Sequence, residues 1–213
     1  MKNLLLIALA TGFGILVLAS LVHPPSFIAD RNLERAVRTA LGTIRVGRLV
    51  PSNVDGLEEL DARGFGIVSL EGIEYCTGLK KLRLGNSVRP LWGKDNRIVD
   101  ISPLAALVDL EELYLDENRI VDISPLTELV NLKTLSLSWN EIADVSSLEG
   151  LTNLEYLALI GNQVDEIGAL ARNMGLGEGD HVHLFDNKLN YTQGDPDMDA
   201  IHAISGRGAF VSY

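Results

Sequence analysis

An apolar pattern repeats along most of the chain at an interval of 22 residues. Leu110, Leu132 and Leu154 each open a unit in which leucines follow three and five residues later, an asparagine eight residues later and an isoleucine or valine after ten. Leu57 and Leu79 open two earlier units, and the longer step from Leu79 to Leu110 is one unit plus a nine-residue insertion. This apolar spacing fits no helical period for long, so it excludes a helical bundle.

Each unit predicts one coil of a stacked array. The Leu-x-Leu segment is a short strand whose leucines point inward. The Ile-Ser-Pro-Leu segments at 101–104 and 123–126 return along the opposite side, because proline is excluded from a central strand. One coil cannot bury its own apolar face and must stack on its neighbours. Stacking would align the turn asparagines into a hydrogen-bonded ladder: Asn96, Asn118, Asn140, Asn162 and Asn187.

The Leu-x-x-Leu-x-Leu-x-x-Asn-x-Ile core resembles that of the leucine-rich repeat family. The 22-residue length and the Asp-Ile-Ser-Pro-Leu returns at 100–104 and 122–126 resemble its bacterial, internalin-like class, from about residue 27 to the end of the chain. The resemblance implies an α/β solenoid with a concave parallel β-sheet, an irregular or 3-10 convex side, a helical N-terminal cap and a helix-plus-strand C-terminal cap. It also implies a role in protein recognition or adhesion.

Four regions follow from these patterns. Residues 1–22 are a signal peptide or an N-terminal membrane anchor, and 23–56 are a linker and a helical cap that begins at Asp30. The repeats occupy 57–189, with the insertion near 85–93, and the C-terminal cap occupies 190–213. Nothing in this cap indicates an enzyme domain or a wall-sorting tail, so we expect function to reside in the solenoid.

The first region is an export signal with two interpretations. Lys2 precedes nineteen residues without a formal charge, from Leu4 to Val22. That length suits an uncleaved anchor, whereas Val17-Leu18-Ala19 before Ser20 suits cleavage. In either case we expect the remainder to be extracytoplasmic, in the periplasm, at the cell surface or secreted, and to meet a membrane only through residues 4–22.

Composition restricts the chemistry. Eighteen Lys and Arg against 29 Asp and Glu give a formal net charge of −11, which argues against nucleic acid as a partner. Cys76 is the single cysteine and only four histidines are present, so we predict no disulfide framework, no metal site and no cofactor. His181-x-His183 lacks an identifiable third ligand. The sequence contains no nucleophile elbow or phosphate loop, and we predict no enzyme.

Residues that flank the strand leucines are expected on the concave face, in two rows. One row is Glu59, Lys81, Glu112, Thr134, Tyr156 and His181, and the other is Asp61, Arg83, Tyr114, Ser136, Ala158 and His183. Their charged end is interpreted as a solvated salt ladder. The other end predicts an exposed aromatic strip: Tyr114, Trp139, Tyr156, Ile160, His181, His183 and Phe185. Phe185 and Trp139 have an alternative, which is packing beneath the C-terminal cap.

The insertion supplies two further candidate contacts, Arg89 and Trp92, with folding back over the coil edge as the alternative. The predicted function is an exported protein-binding module that recognises a protein or another cell-envelope macromolecule through its concave face and insertion. We expect a monomer. The alternative is a structural envelope spacer without a specific ligand.

Overall fold

A computed structural model describes residues 26–42, 48–85 and 94–213 as a solenoid of stacked coils. Each coil contributes one short strand to a seven-stranded sheet, and the spatial order of the strands is their order in the chain. The strands are β1 Glu59–Asp61, β2 Lys81–Arg83, β3 Glu112–Tyr114, β4 Thr134–Ser136, β5 Tyr156–Ala158, β6 His181–His183 and β7 Phe210–Ser212. All neighbours pair in parallel. The predicted leucine-rich repeat solenoid is confirmed.

The middle residue of each strand points into a dry core. Leu113, Leu135 and Leu157 are in register on adjacent strands and have no solvent exposure. At about 1.5–3 kcal/mol for each fully buried aliphatic side chain, these residues strongly favour the stacked arrangement over separated coils.

The predicted asparagine ladder runs beneath the sheet. In the coil of Asn140, Oδ1 accepts a hydrogen bond from the backbone N–H of Ile120 at 3.0 Å. Its Nδ2 donates to the carbonyls of Leu115 and Leu137 at 3.1 and 2.9 Å. Equivalent bonds to the preceding coil occur at Asn96, Asn118, Asn162 and Asn187. Each amide therefore ties its own turn to the preceding coil.

Helices close both ends of the array. The N-terminal helix, α1, spans Arg31–Ala40 and packs on β1. Asp30 caps it and joins it to the first coil: Oδ1 accepts from Asn32 N–H at 2.7 Å and Oδ2 from Val68 N–H at 2.9 Å. Burial alone would raise the pKa of Asp30, but its backbone donors outweigh burial and lower it. At the other end, a helix at Pro196–Gly206 precedes β7.

The convex side is built mainly from short 3-10 helices at Ile73–Tyr75, Ser102–Ala106, Ser124–Leu126 and Ser146–Leu148. The next coil departs from this prediction and carries a short α-helix, α2, at Gly168–Arg172, so the C-terminal helix is α3. In α2, Gly-Ala-Leu takes the place of Ser-Pro-Leu at 102–104 and 124–126 and of Ser-Ser-Leu at 146–148. Alanine and leucine favour α-helix, and the N–H of Asn173 bonds to the carbonyl of Ala169 at 3.0 Å.

Candidate partner-binding surface

The concave face carries the two predicted side-chain rows in the predicted register. Glu59, Lys81, Glu112, Thr134, Tyr156 and His181 align across the sheet, and so do Asp61, Arg83, Tyr114, Ser136, Ala158 and His183. Strand β7 adds Phe210 to the first row and Ser212 to the second. Adjacent strands lie about 4.8 Å apart, so side chains in a row are direct neighbours.

Charged residues on β1 to β3 pair with one another, and we call this part of the surface the charged half. The Lys81 ammonium forms an ion pair with Glu112 on the next strand. Asp61 binds Arg63 at 2.6 Å, and the hydrogen bond from Arg63 is the main reason that the pKa of Asp61 is lowered. These two ion pairs neutralise part of the charged half.

Tyr114, a predicted member of the exposed aromatic strip, contacts residues of the charged half. Its hydroxyl donates to Glu112 Oε2 at 2.9 Å, and the Arg83 guanidinium carbon lies 5.5 Å from its ring centroid. Burial and the Glu112 hydrogen bond raise the pKa of Tyr114. The side chain is only partly accessible, because Glu112 on the same strand and Arg83 on β2 contact it. The sequence alone does not show whether the Tyr114 side chain contacts these residues or solvent.

The aromatic half comprises Tyr156, His181, His183 and Phe210. The Tyr156 and His183 ring centroids are 5.3 Å apart, and those of His181 and Phe210 are 5.6 Å apart. Tyr156 is 37% exposed and Phe210 57%. His183 is partly buried and its Nδ1 lies 2.7 Å from Ser212 Oγ. Burial, with a smaller contribution from His181, lowers the pKa of His183.

Phe210 was missing from the predicted site. The predicted C-terminal cap includes a strand, and alternation places Phe210 and Val211 on opposite faces of it. Alternation alone does not say which of the two faces outward, so the sequence carried only part of the signal.

Trp139 and Phe185 remain accessible at the rim, 53% and 46% exposed respectively. Neither is buried beneath the C-terminal cap, so that alternative is wrong. The Trp139 ring lies over Gly161, where an added Cβ would come within 2.3 Å of Cε3. A glycine at 161 is therefore required for the Trp139 ring to occupy this position.

A shallow groove of about 610 Å³ separates the two halves and crosses β3 to β5. Trp139, Tyr156 and Ile160 contribute its apolar lining. Asp116 also lines it, although only 6% of this residue is exposed. Its Oδ1 accepts hydrogen bonds from the Ser136 hydroxyl and, at 3.2 Å, from Ser138 N–H. Burial is the main influence on the Asp116 carboxyl and raises its pKa.

Several other candidate features have definite positions. Cys76 is fully buried, and burial raises the pKa of its thiol to about 12, which makes it unreactive. The rings of His181 and His183 are stacked 6.2 Å apart. Across the described ranges, no three His, Cys, Asp or Glu side chains are grouped to hold a metal ion.

The candidates Arg89 and Trp92 lie outside the described residues, as do positions 86–93 of the insertion predicted near 85–93 and the predicted signal or anchor at 1–22. Within the part of the chain that the structure describes, no helix combines the length and the apolar character needed to cross a membrane.

Comparisons with known proteins agree with this geometry. A family model described as leucine rich repeat matches residues 108–164. The crystal structure of an internalin (inlF) from Listeria monocytogenes superposes with a TM-score of 0.72 at 26% identity, over 91% of this chain and 55% of that one. The chain is an internalin-like leucine-rich repeat protein.

Two further structures from Listeria monocytogenes are similar to this internalin-like chain. An internalin C2 (inlC2) shares 27% identity with a TM-score of 0.51, over 87% of this chain and 95% of that one. The functional domain of InlJ shares the fold, with 20% identity and a TM-score of 0.58, over 79% of this chain and 39% of that one. Thus the chain spans little more than half of the inlF structure and less than half of the InlJ domain. A comparison with curated protein sequences finds no match.

Proposed function

We propose that this internalin-like chain is an exported protein-binding module whose aromatic half makes the principal contact with a protein partner. The observation that carries the proposal is the continuous run of rings on β5 to β7, in which exposed Tyr156 and Phe210 flank the two histidines. Aromatic side chains are enriched at binding hot spots because they bury a large rigid surface at low entropic cost.

The comparisons support a protein-interaction module in general terms. Internalin-like repeat proteins are typically non-enzymatic, and the described surface gives no competing reason to assign a reaction. Export is proposed from the sequence of residues 1–22. N-terminal sequencing of the mature chain tests it, since a start at Ser20 indicates cleavage and a start at Met1 indicates a retained segment.

The binding proposal is tested by capture from a cell-envelope extract, with the full chain as bait and the captured proteins quantified by mass spectrometry. The variant Y156A/F210A removes the two exposed rings and is expected to reduce capture of the main partner by at least about tenfold. That factor corresponds to about 1.4 kcal/mol, which is modest for two hot-spot residues.

The matched control is M174A, which removes an exposed apolar side chain that lies outside the sheet. It should leave capture unchanged. Equal capture by the wild type, the double variant and the control would contradict a concave site. A bait that captures no protein above background would instead favour the spacer alternative.

A further inference from the structure

The groove between the two halves contains a buried carboxylate, that of Asp116. The ion pairs among the described residues do not include it. Its side-chain donor is the neutral Ser136 hydroxyl, supplemented by the backbone N–H of Ser138. A carboxylate withdrawn from water without a cationic partner is costly. The fold therefore retains a charge that a cation arriving from outside would stabilise.

The apolar lining of the same groove is suited to a flat cation. Trp139 lies on one side with its ring spread over Gly161, and Tyr156 comes from the neighbouring strand. Indole and phenol faces attract cations through the negative potential of the ring, and a guanidinium adds planar stacking that an ammonium lacks. A groove that combines aromatic faces with a carboxylate is thus suited to arginine in particular.

Trp139 is kept in this position at a conformational cost. Its φ is +59°, in the left-handed region, where a bulky residue is unusual. The equivalent positions of neighbouring coils hold Glu117, Gly161 and Asp186, also at positive φ. The coil geometry thus imposes this conformation, and a glycine or a small polar residue would adopt it more easily.

Charge complementarity also favours a cationic occupant. Two of the groove's lining residues, Asp116 and Glu117, are acidic, and none of those lining residues is basic. The whole chain has a formal net charge of −11, so a basic segment would be attracted over a distance as well as at contact.

We infer that the groove binds an arginine side chain of the protein partner, with its guanidinium paired to the Asp116 carboxylate and stacked against Trp139 and Tyr156. This inference rests on the proposed function and specifies the chemistry of the partner at one point of the concave face. The aromatic half would then contact apolar surface next to this arginine on the same partner.

The test uses the full chain carrying W92F, so that fluorescence reports on Trp139, the other of the two tryptophans. The probes are tetra-arginine, tetra-lysine and tetra-norleucine peptides at physiological salt. Tetra-arginine should change the Trp139 emission and bind at least about threefold tighter than tetra-lysine, because only guanidinium stacks well. D116N should weaken the binding of tetra-arginine by about tenfold, equivalent to about 1.4 kcal/mol.

The matched control for charge is D109N, which makes the same change at an exposed aspartate before β3. It should leave the affinity within twofold of the parent. The amide introduced by D116N keeps an oxygen that can accept from Ser136 and Ser138, so this variant should fold, which circular dichroism verifies. A second variant, W139G, should weaken the binding of tetra-arginine, measured by calorimetry. In this variant tetra-arginine should bind no more tightly than tetra-lysine.

The inference is overturned if D116N binds tetra-arginine as tightly as D109N does, or if tetra-norleucine binds more tightly than tetra-arginine. The latter result would identify an apolar occupant. These results can be told apart from a failure of the proposed function. If capture of a partner needs Tyr156 and Phe210 but is unaffected by D116N, the proposed protein binding stands and only the arginine site is contradicted.

Discussion

The charged half and the aromatic half share one backbone, one core and one hydrogen-bonded ladder, yet their side chains behave differently. On β1 to β3, Lys81 is paired with Glu112 and Arg83 covers Tyr114. On β5 to β7, rings contact other rings and leave Tyr156 and Phe210 exposed. A partner that docked on the charged half would have to disrupt existing ion pairs, whereas the aromatic half offers apolar surface at little desolvation cost.

The comparison teaches that folding and recognition are encoded by alternate residues of the same strands. Inward residues are nearly invariant in type from coil to coil, whereas outward residues change from charged to aromatic along the sheet. Changes to the shared frame should therefore damage both halves, and changes to outward residues should affect only one.

The largest expected effect comes from N140A, which removes a rung of the ladder beneath both halves. The substitution leaves the N–H of Ile120 and the carbonyls of Leu115 and Leu137 without this partner. Each buried group left unsatisfied costs about 1–3 kcal/mol, so the free energy of unfolding should fall by about 3–5 kcal/mol. Urea denaturation measures the change.

The control is N131A. Asn131 also donates to a carbonyl of the preceding coil, that of Val108 at 2.9 Å, but it is exposed. Its removal should cost less than about 1 kcal/mol, because water replaces the lost bond. If N131A lowered the free energy of unfolding as much as N140A does, burial would not be the reason that the ladder asparagines stabilise the fold.

A smaller effect is expected at the boundary between the halves, from G161A. Gly161 has φ +69°, and an alanine there would meet the Trp139 ring. We expect a loss of about 1–3 kcal/mol from backbone strain and steric overlap together. In a W139G background only the backbone part should remain, so the double-mutant cycle isolates the contact. An equal loss in both backgrounds would show that the ring is not held on Gly161.

The strands, the ladder and both concave rows were predictable from sequence because each depends on a period. A 22-residue interval fixes which leucines stack, and alternation fixes which neighbours point outward. The short helix α2 was not predicted, because the change from Ser-Ser-Leu at 146–148 to Gly-Ala-Leu at 168–170 gave no positive signal for a helix.

The details of the site were less predictable because they depend on contacts between coils. The hydrogen bond from the Tyr114 hydroxyl to Glu112 was not predicted, because it depends on the side-chain geometry along β3. The positive φ of Trp139 and the burial of Asp116 arise from how successive turns stack. The contacts of Asp116 and Trp139 join residues about 20 positions apart, and no local pattern specifies them.

The smallest expected effect is a local loss of stability, confined to the aromatic half, within one range of pH. The pKa of His183 is lowered from 6.5, chiefly by burial, so the folded state binds its proton less readily than the unfolded chain does. Its contribution to stability is therefore present above pH 6.5 and is lost as the pH falls through the lowered pKa.

The charged half should respond only at lower pH. Burial raises the pKa of Glu112, but the hydrogen bonds from Lys81 and Tyr114 outweigh burial and lower it from 4.5. Between pH 6.5 and 4.5, hydrogen exchange should show a loss of protection in β6 and β7 but not in β2 and β3. The H183Q variant should not show this loss of protection, whereas H202Q, a change at an exposed histidine of α3, should still show it. Equal loss in all four strands would mean that the two halves do not titrate separately.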